Sequence, residues 1–242
     1  MATKPRRINL EDEGLRLYAG TMHNHDYLWF SSFEISKTAA TLPIIHNYAL
    51  SYAISGYSHG IYWGSTPSYL NDLAKMSAYA TPARPDGPVR RTRLTQNAIN
   101  SRTLRTDDAP RGSNSPALGW RLVLDPIWQN ESAVTTGFSL YLVAQMGFRP
   151  PGVVRLGKKG CPVRFQWESI TPAVAIFAEN VVRPTHSVNP LDVSGSIVAY
   201  DPVAIPPHLV MRAAEIERDW FVFSGEHVVH LARRFCRPGI NH

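Results

Sequence analysis

Nineteen prolines are scattered between the short apolar runs of this 242-residue chain. A proline inside a helix removes a hydrogen bond and clashes with the preceding turn. The spacing therefore favours strands and loops over long helices. At 44% hydrophobic residues, a chain of this length can still bury a proper core, as one large domain or two small ones.

Leu15 to about His23 reads as a first strand, and YLWFSSFEI (Tyr27 to Ile35) as a second, both rich in aromatic and β-favouring residues. The strongest helical signal is PIIHNYALSYAIS, where Ile45, Tyr48, Ala49 and Tyr52 recur at the spacing of one buried face. Pro43 suits its first turn and Gly56 stops it. His46, Asn47 and Ser51 fall on the other side, open to solvent or a partner. A short helix is expected after Thr66, with Pro67 in its first turn and Leu70, Leu73 and Ala74 facing inward. WRLVLDPIW and GFSLYLVAQM read as strands, SVNPLDV and IPPHLV as proline-rich connections, and Met211 to Glu217 as a short helix. Gly225-Glu226 suggests a hairpin, with a helix capped by Ser224 as the alternative. This irregular interleaving of strands and helices gives an α+β class.

From Tyr79 to Trp120 the composition shifts. Arg84, Arg90, Arg91, Arg93, Arg102, Arg105 and Arg111 outnumber Asp86, Asp107 and Asp108, with few large apolar residues between them. A segment without a core of its own reads as a basic arm projecting from the domain, with a hairpin as one form it can take and VRRTRL its most strand-like part. Arginine presents a planar fork of donors that matches phosphate. A solvated loop is the bland alternative.

A second basic feature is VVRLGKKGCPVRF, Val153 to Phe165. Val163, Phe165 and Trp167 alternate with Arg164, Gln166 and Glu168, which is the pattern of a half-buried strand. The stretch is thus a strand, a glycine-flanked turn carrying Arg155, Lys158 and Lys159, and a second strand. The net charge of +6 attracts polyanions in general. Tyr18, Tyr27, Trp29, Phe30 and Phe33 could stack bases, although such residues are more often simply core.

Several chemistries are not indicated. Cys161 and Cys236 form no C-x-x-C pair, which excludes a disulfide scaffold or cysteine-rich zinc site and suits a reducing, cytoplasmic compartment. His23, His25 and Asp26 read as a polar turn, and His227 with His230 is weak evidence of metal, so no metal and no cofactor is expected. LGKKG lacks the spacing and hydroxyl of a nucleotide-hydrolysing loop, and neither a nucleophile elbow nor an H-E-x-x-H helix occurs. Carboxylates form no pair for acid–base work. Histidine, tyrosine and lysine are all present and could cut RNA without metal if they converge. The N-terminus lacks a signal-peptide core, and no apolar run approaches the roughly 18 residues a membrane span needs.

DYLWFSSFEI, PIIHNYALSYAIS, YATPARP, VVRLGKKGCPVRF and HSVNPLDV, in that order, resemble the Cas-five-type subunit of the type I-D CRISPR surveillance complex (Cascade). The match covers His46 to Leu50, Tyr52 and Ala53 on the helix. It also covers Arg155, Leu156, Gly157 and Lys158 at the turn, and Asn189 to Asp192 in the late loop. The resemblance implies a single domain, residues 1–242, with a modified RRM-like, ferredoxin-type fold of the RAMP superfamily and an extended basic thumb at about 79–120. It implies a non-catalytic subunit that holds the five-prime handle of the guide RNA and docks on the large subunit and the first backbone subunit. Contact with target double-stranded DNA near the protospacer-adjacent motif would follow from the same position. Candidate RNA contacts are Arg155, Gly157, Lys158, Lys159 and Arg164, then Arg90, Arg91, Arg93, Arg102 and Arg105, then His46 and Asn47. The alternative for the last pair is that the HNY group caps or braces the fold. Two other functions stay open: a metal-independent ribonuclease that processes precursor RNA, and a single-strand-binding protein outside CRISPR biology.

Overall fold

Residues 138–144 read FSLYLVA, apolar at nearly every position, and such a strand needs cover on both faces. The computed structural model describes residues 7–35, 38–56, 67–97, 118–127 and 137–235. In chain order the elements are β1 (Arg7–Asn9), β2 (Leu15–Asn24), β3 (Phe33–Ile35), β4 (Thr38–Ala40), α1 (Asn47–Ser55), α2 (Tyr69–Leu73), β5 (Ala78–Ala80) and β6 (Arg84–Pro85). There follow β7 (Arg91–Asn97), β8 (Leu118–Leu124), β9 (Phe138–Gln145), β10 (Val153–Leu156), β11 (Cys161–Ile170) and β12 (Val174–Ala178). After a 3-10 turn at Pro190–Asp192 come β13 (Ser196–Ile205), β14 (His208–Glu217), β15 (Asp219–Ser224) and β16 (His227–His230).

The central antiparallel sheet runs β10-β11-β2-β9-β5, with β6 also on β9. Phe138, Leu140, Leu142 and Ala144 of β9 join Met22, Val163, Phe165 and the α1 residues Leu50 and Ile54 on one face. Tyr141 and Val143 join Leu15, Leu17, Trp220, Val222 and Val229 on the other. A second antiparallel sheet, β1-β12-β15-β16, supplies that second cover. The apolar run of β9 is thus explained: it is a central strand between two cores. Sheet β3-β4-β8-β7, with its β4–β8 pair parallel, and the hairpin β13–β14 complete the described residues.

The class is mostly β, with few helices; the α+β expectation overstated the helical part. Met211 to Glu217, read as a helix, lies within β14, and IPPHLV is not a connection but the turn and start of that strand's hairpin. YLWFSSFEI forms a strand only at Phe33–Ile35, with one bridge from Leu28 to Leu124. The α1 helix begins after Pro43, with His46 as its N-cap: Nδ1 accepts from the Tyr48 N–H at 3.1 Å. Its buried face is Asn47, Tyr48, Leu50, Ser51 and Ile54, so the polar residues expected to face solvent are inside. At α2, Ser68 takes the N-cap position, Leu73 is buried and Ala74 is exposed; Thr66 lies outside the described residues. The strand–turn–strand at 153–170 and the hairpin at Gly225-Glu226 form as expected.

The basic segment divides. Residues 78–80 belong to the central sheet and Ala80 and Ala83 are fully buried, so the arm begins beyond the boundary at Tyr79. VRRTRL supplies β7, which pairs antiparallel with β8 as the two sides of a hairpin. Arg102, Arg105 and Arg111 lie outside the described residues, as does Cys236.

Candidate nucleic-acid interface

The turn between β10 and β11 is shaped by its glycines. Gly157 has φ 75° and Gly160 φ 63°, conformations that L side chains rarely adopt. A Cβ on Gly157 would stand 2.6 Å from the carbonyl oxygen of Trp29, so only glycine lets the turn lie against that residue. The Lys158 N–H then donates to the same Trp29 oxygen at 2.9 Å, and Arg155 Nη1 donates across the turn to the Gly160 carbonyl at 2.8 Å. Both glycines thereby aim the cations. Arg155, Lys158 and Lys159 are exposed, and the β10–β11 register puts Arg164 on the same face as Arg155.

Trp29 is where the two basic features of the sequence meet. The Lys158 ammonium lies 5.2 Å from its ring centroid and the Arg121 guanidinium, from β8, 4.2 Å. In the β7–β8 ladder Leu94 faces Arg121, and Leu94 packs with Trp29, Ala39 and Val123. Arg93, on the opposite face of that ladder, lies 4.2 Å from the centroid of Trp120. Arg90, Arg91 and Arg93 are all exposed. Burial pulls the Lys158 ammonium below its ordinary range; Glu34 opposes this and Arg121 adds to it. Arg121 is lowered by burial as well. Two neighbouring cations that have each lost some hydration are poised to gain from an anion. Beside them runs a groove of about 310 Å³ whose lining includes Arg155, Gly157, Lys158, Phe30 and Tyr52.

His46 and Asn47 do not join this surface. His46 is 4% exposed and Asn47 0%. The Asn47 amide donates to Tyr79 Oη at 2.7 Å and to Asp192 Oδ2 at 3.3 Å, and its oxygen accepts from Asn189 at 3.1 Å. Tyr79 donates to the Asp192 carboxylate, which also holds Arg234 at 3.4 Å. Burial raises the Asp192 carboxyl, while Tyr79 and Arg234 oppose. Asn47 and Tyr48 of the HNY group and the late NPLD loop are therefore the two halves of one buried clamp, the bracing arrangement rather than a solvent-facing one, while His46 caps α1.

The histidine pairs resolve separately. His25 and Asp26 are exposed turn residues, but His23 lies buried within β2 and is not part of that turn. His230 bonds the buried Asp219 at 2.9 Å, and His227 Nδ1 bonds Tyr141 Oη at 2.7 Å. Among the described residues, no group of three or more histidine, cysteine or acidic side chains is placed to hold a metal ion, and no helix is long and apolar enough to cross a membrane.

Over residues 15–238 the sequence matches the family described as type I-D CRISPR-associated protein Cas5/Csc1. The chain belongs to this family. Membership makes it a subunit of a CRISPR effector. A chain of the cryo-EM structure of the type III-B Cmr-beta bound to cognate target RNA and AMPPnP is similar at 10% identity, over 83% of this chain and 86% of that one, with a TM-score of 0.47. The comparison with curated proteins found no match. For a Cas5/Csc1 chain, sequence reasoning located the cations of the turn and of β7 but missed Arg121. Its only signal was a lone charge inside the apolar strand WRLVL, whose side chain had to find a partner.

Proposed function

We propose that this Cas5/Csc1 subunit holds the five-prime handle of the CRISPR guide RNA by charge and shape, without catalysis. The observation that carries the reading is the convergence of the turn and the β7–β8 hairpin on Trp29, which gathers Lys158 and Arg121 beside an aromatic-lined groove. Phosphates lie along Arg155, Lys158, Lys159 and Arg164, and the arginines of β7 extend the track. Docking on the large subunit and first backbone subunit, an RRM-like RAMP ancestry, and contact with target DNA near the protospacer-adjacent motif belong to the same reading and rest on the family. Reversing Lys158 and Lys159 to glutamate is expected to abolish handle binding and flatten what remains of its salt dependence. Unchanged affinity would remove the turn from the RNA path.

The ribonuclease reading has one observation in its favour. Buried Tyr141 and half-buried His227 share a 2.7 Å hydrogen bond, a pair of the kind that moves protons during strand cleavage. Incubating the purified chain with labelled precursor repeat in EDTA separates the two. The binding reading expects intact RNA; site-specific cleavage that is lost in His227→Ala would replace it.

A further inference from the structure

Ser139 interrupts the apolar run of β9 and is half-buried, whereas every residue from Leu140 to Ala144 is buried. Its place in the sheet explains the exception. Phe138, Met22 and Val163 point to the α1 side, so Ser139, Thr21 and Arg164 lie on the opposite face. There Gln166, Thr21, Ser139 and Arg84 pair in succession, forming one row across β11, β2, β9 and β6. The neighbouring row holds Glu168, Ala19 and Tyr141, and from Tyr141 through Val143 and Leu17 the second sheet covers this face. That cover stops one row short. Gln166 is exposed, and Thr21, Ser139 and Arg84 are half-buried.

A row left polar on a face that is otherwise core needs water or a partner. Among the described residues, none of Gln166, Thr21, Ser139, Arg84 and Arg164 makes a side-chain hydrogen bond or ion pair. The row spans three interstrand spacings, about 14 Å. Its β11 end adjoins Arg164, two residues back on the same face, and through the β10–β11 ladder Arg155 and the turn. Its other end is Arg84. To one side the charge reverses: Glu168 shares the row of Tyr141, and Asp86 and Glu226 lie close enough to act on the Tyr141 hydroxyl. A cation thus stands at each end of a strip of hydroxyls and an amide, with acids along one side. Charge holds an anionic strand to the strip and keeps it off the Tyr141 side. The Thr21 and Ser139 hydroxyls and the Gln166 amide each donate and accept. The ribose 2′-hydroxyl does the same, and DNA lacks it.

We propose that this strip is a second RNA-binding site, on which the strand crosses the central sheet from the turn to Arg84 with a ribose on the Thr21 and Ser139 hydroxyls. The proposal rests on the RNA-binding reading above and adds to it a path and a means of telling RNA from DNA. An acidic segment of a protein partner is the competing occupant that the test addresses.

The test uses the full chain, single-stranded RNA from the repeat of the array, and DNA of the same sequence. Thr21→Val combined with Ser139→Ala removes both hydroxyls and nearly keeps their shape. This pair is expected to bind RNA about tenfold more weakly, the range for two hydrogen bonds, and DNA as before. Gln166→Ala, at an exposed position, should shift RNA alone in the same direction and keeps the question answerable should the hydroxyl pair weaken the sheet. Arg84→Gln should shrink the slope of log affinity against log salt by about 0.7 for both nucleic acids, the release expected for one single-strand phosphate. Variants that keep the wild-type affinity and slope overturn the strip and hand the face to another occupant. A hydroxyl-pair loss that is equal for RNA and DNA overturns it too, because it would mark a disturbed sheet. In either case, salt-dependent binding that Lys158→Glu abolishes would leave the RNA reading standing. A wild-type chain that binds no RNA overturns both.

Discussion

Arg121 shows how much one contact can hide. Its strand, WRLVL, is otherwise suited to a core, and the guanidinium offsets part of its burial by lying over the Trp29 ring at 4.2 Å. Such a cation–π contact is worth about 0.5–1 kcal/mol at a partly exposed site, small beside the stability of a domain. Arg121→Gln is therefore expected to fold. If Arg121 meets a phosphate, the slope of log affinity against log salt should shrink by about 0.7, the release expected for one single-strand phosphate. Anisotropy titrations at several salt concentrations check this, and an unchanged slope takes Arg121 off the path. Gly157 is the complementary case. The resemblance named it among RNA contacts, and the backbone assigns it a geometric task that any Cβ would defeat.

Among the elements, α1, β5, the Pro190–Asp192 turn and the segment after β16 are tied by one carboxylate. Asp192 is buried and meets Tyr79, Asn47 and Arg234. Removing one partner of a buried pair costs about 3–5 kcal/mol, because the other charge is left uncompensated. Asp192→Ala should lower the urea midpoint by a corresponding amount; a change under about 1 kcal/mol would mean the clamp is slack. Asn47 could be found in the sequence but not its direction, since helical period marks a face without saying whether polar partners wait inside. The strands differ in legibility for physical reasons. β9 announces itself because both its faces are covered, and β11 because only one is. β14 is disguised. The register steps from Asp201–Ala213 to Pro202–Met211, so Arg212 is an extra residue and the buried Met211 and Ala214 end up three apart, a helical spacing made by a bulge. The hairpin arginines of β7 were legible as charge, but their neighbourhood with the turn depends on Trp29, which no local pattern reveals.

For the molecule as a whole, two buried histidines set the response to acid. His46 and His186 are held neutral, with pKa values lowered from 6.5 to about 3, chiefly by burial. The unfolded chain takes up these protons near pH 6.5 and the folded chain does not until about 3, so their stabilisation is complete above pH 6.5 and is lost as pH falls through that window. At pH 5 each should cost about 2 kcal/mol relative to neutral pH. Urea midpoints at the two pH values measure the sum, and His186→Gln should remove about half of it; a pH-independent midpoint would contradict the burial of both rings. The strand order carries a consequence of another kind. β2, near the start of the chain, occupies the middle of the central sheet, with Met22 opposite Phe138 on one side and Asn24 opposite Val163 on the other. During synthesis it must wait, apolar face uncovered, until both distant partners have left the ribosome. Such non-local pairing makes for slow nucleation, and it gives chaperones, or the subunits this chain assembles with, a long interval in which to act on it.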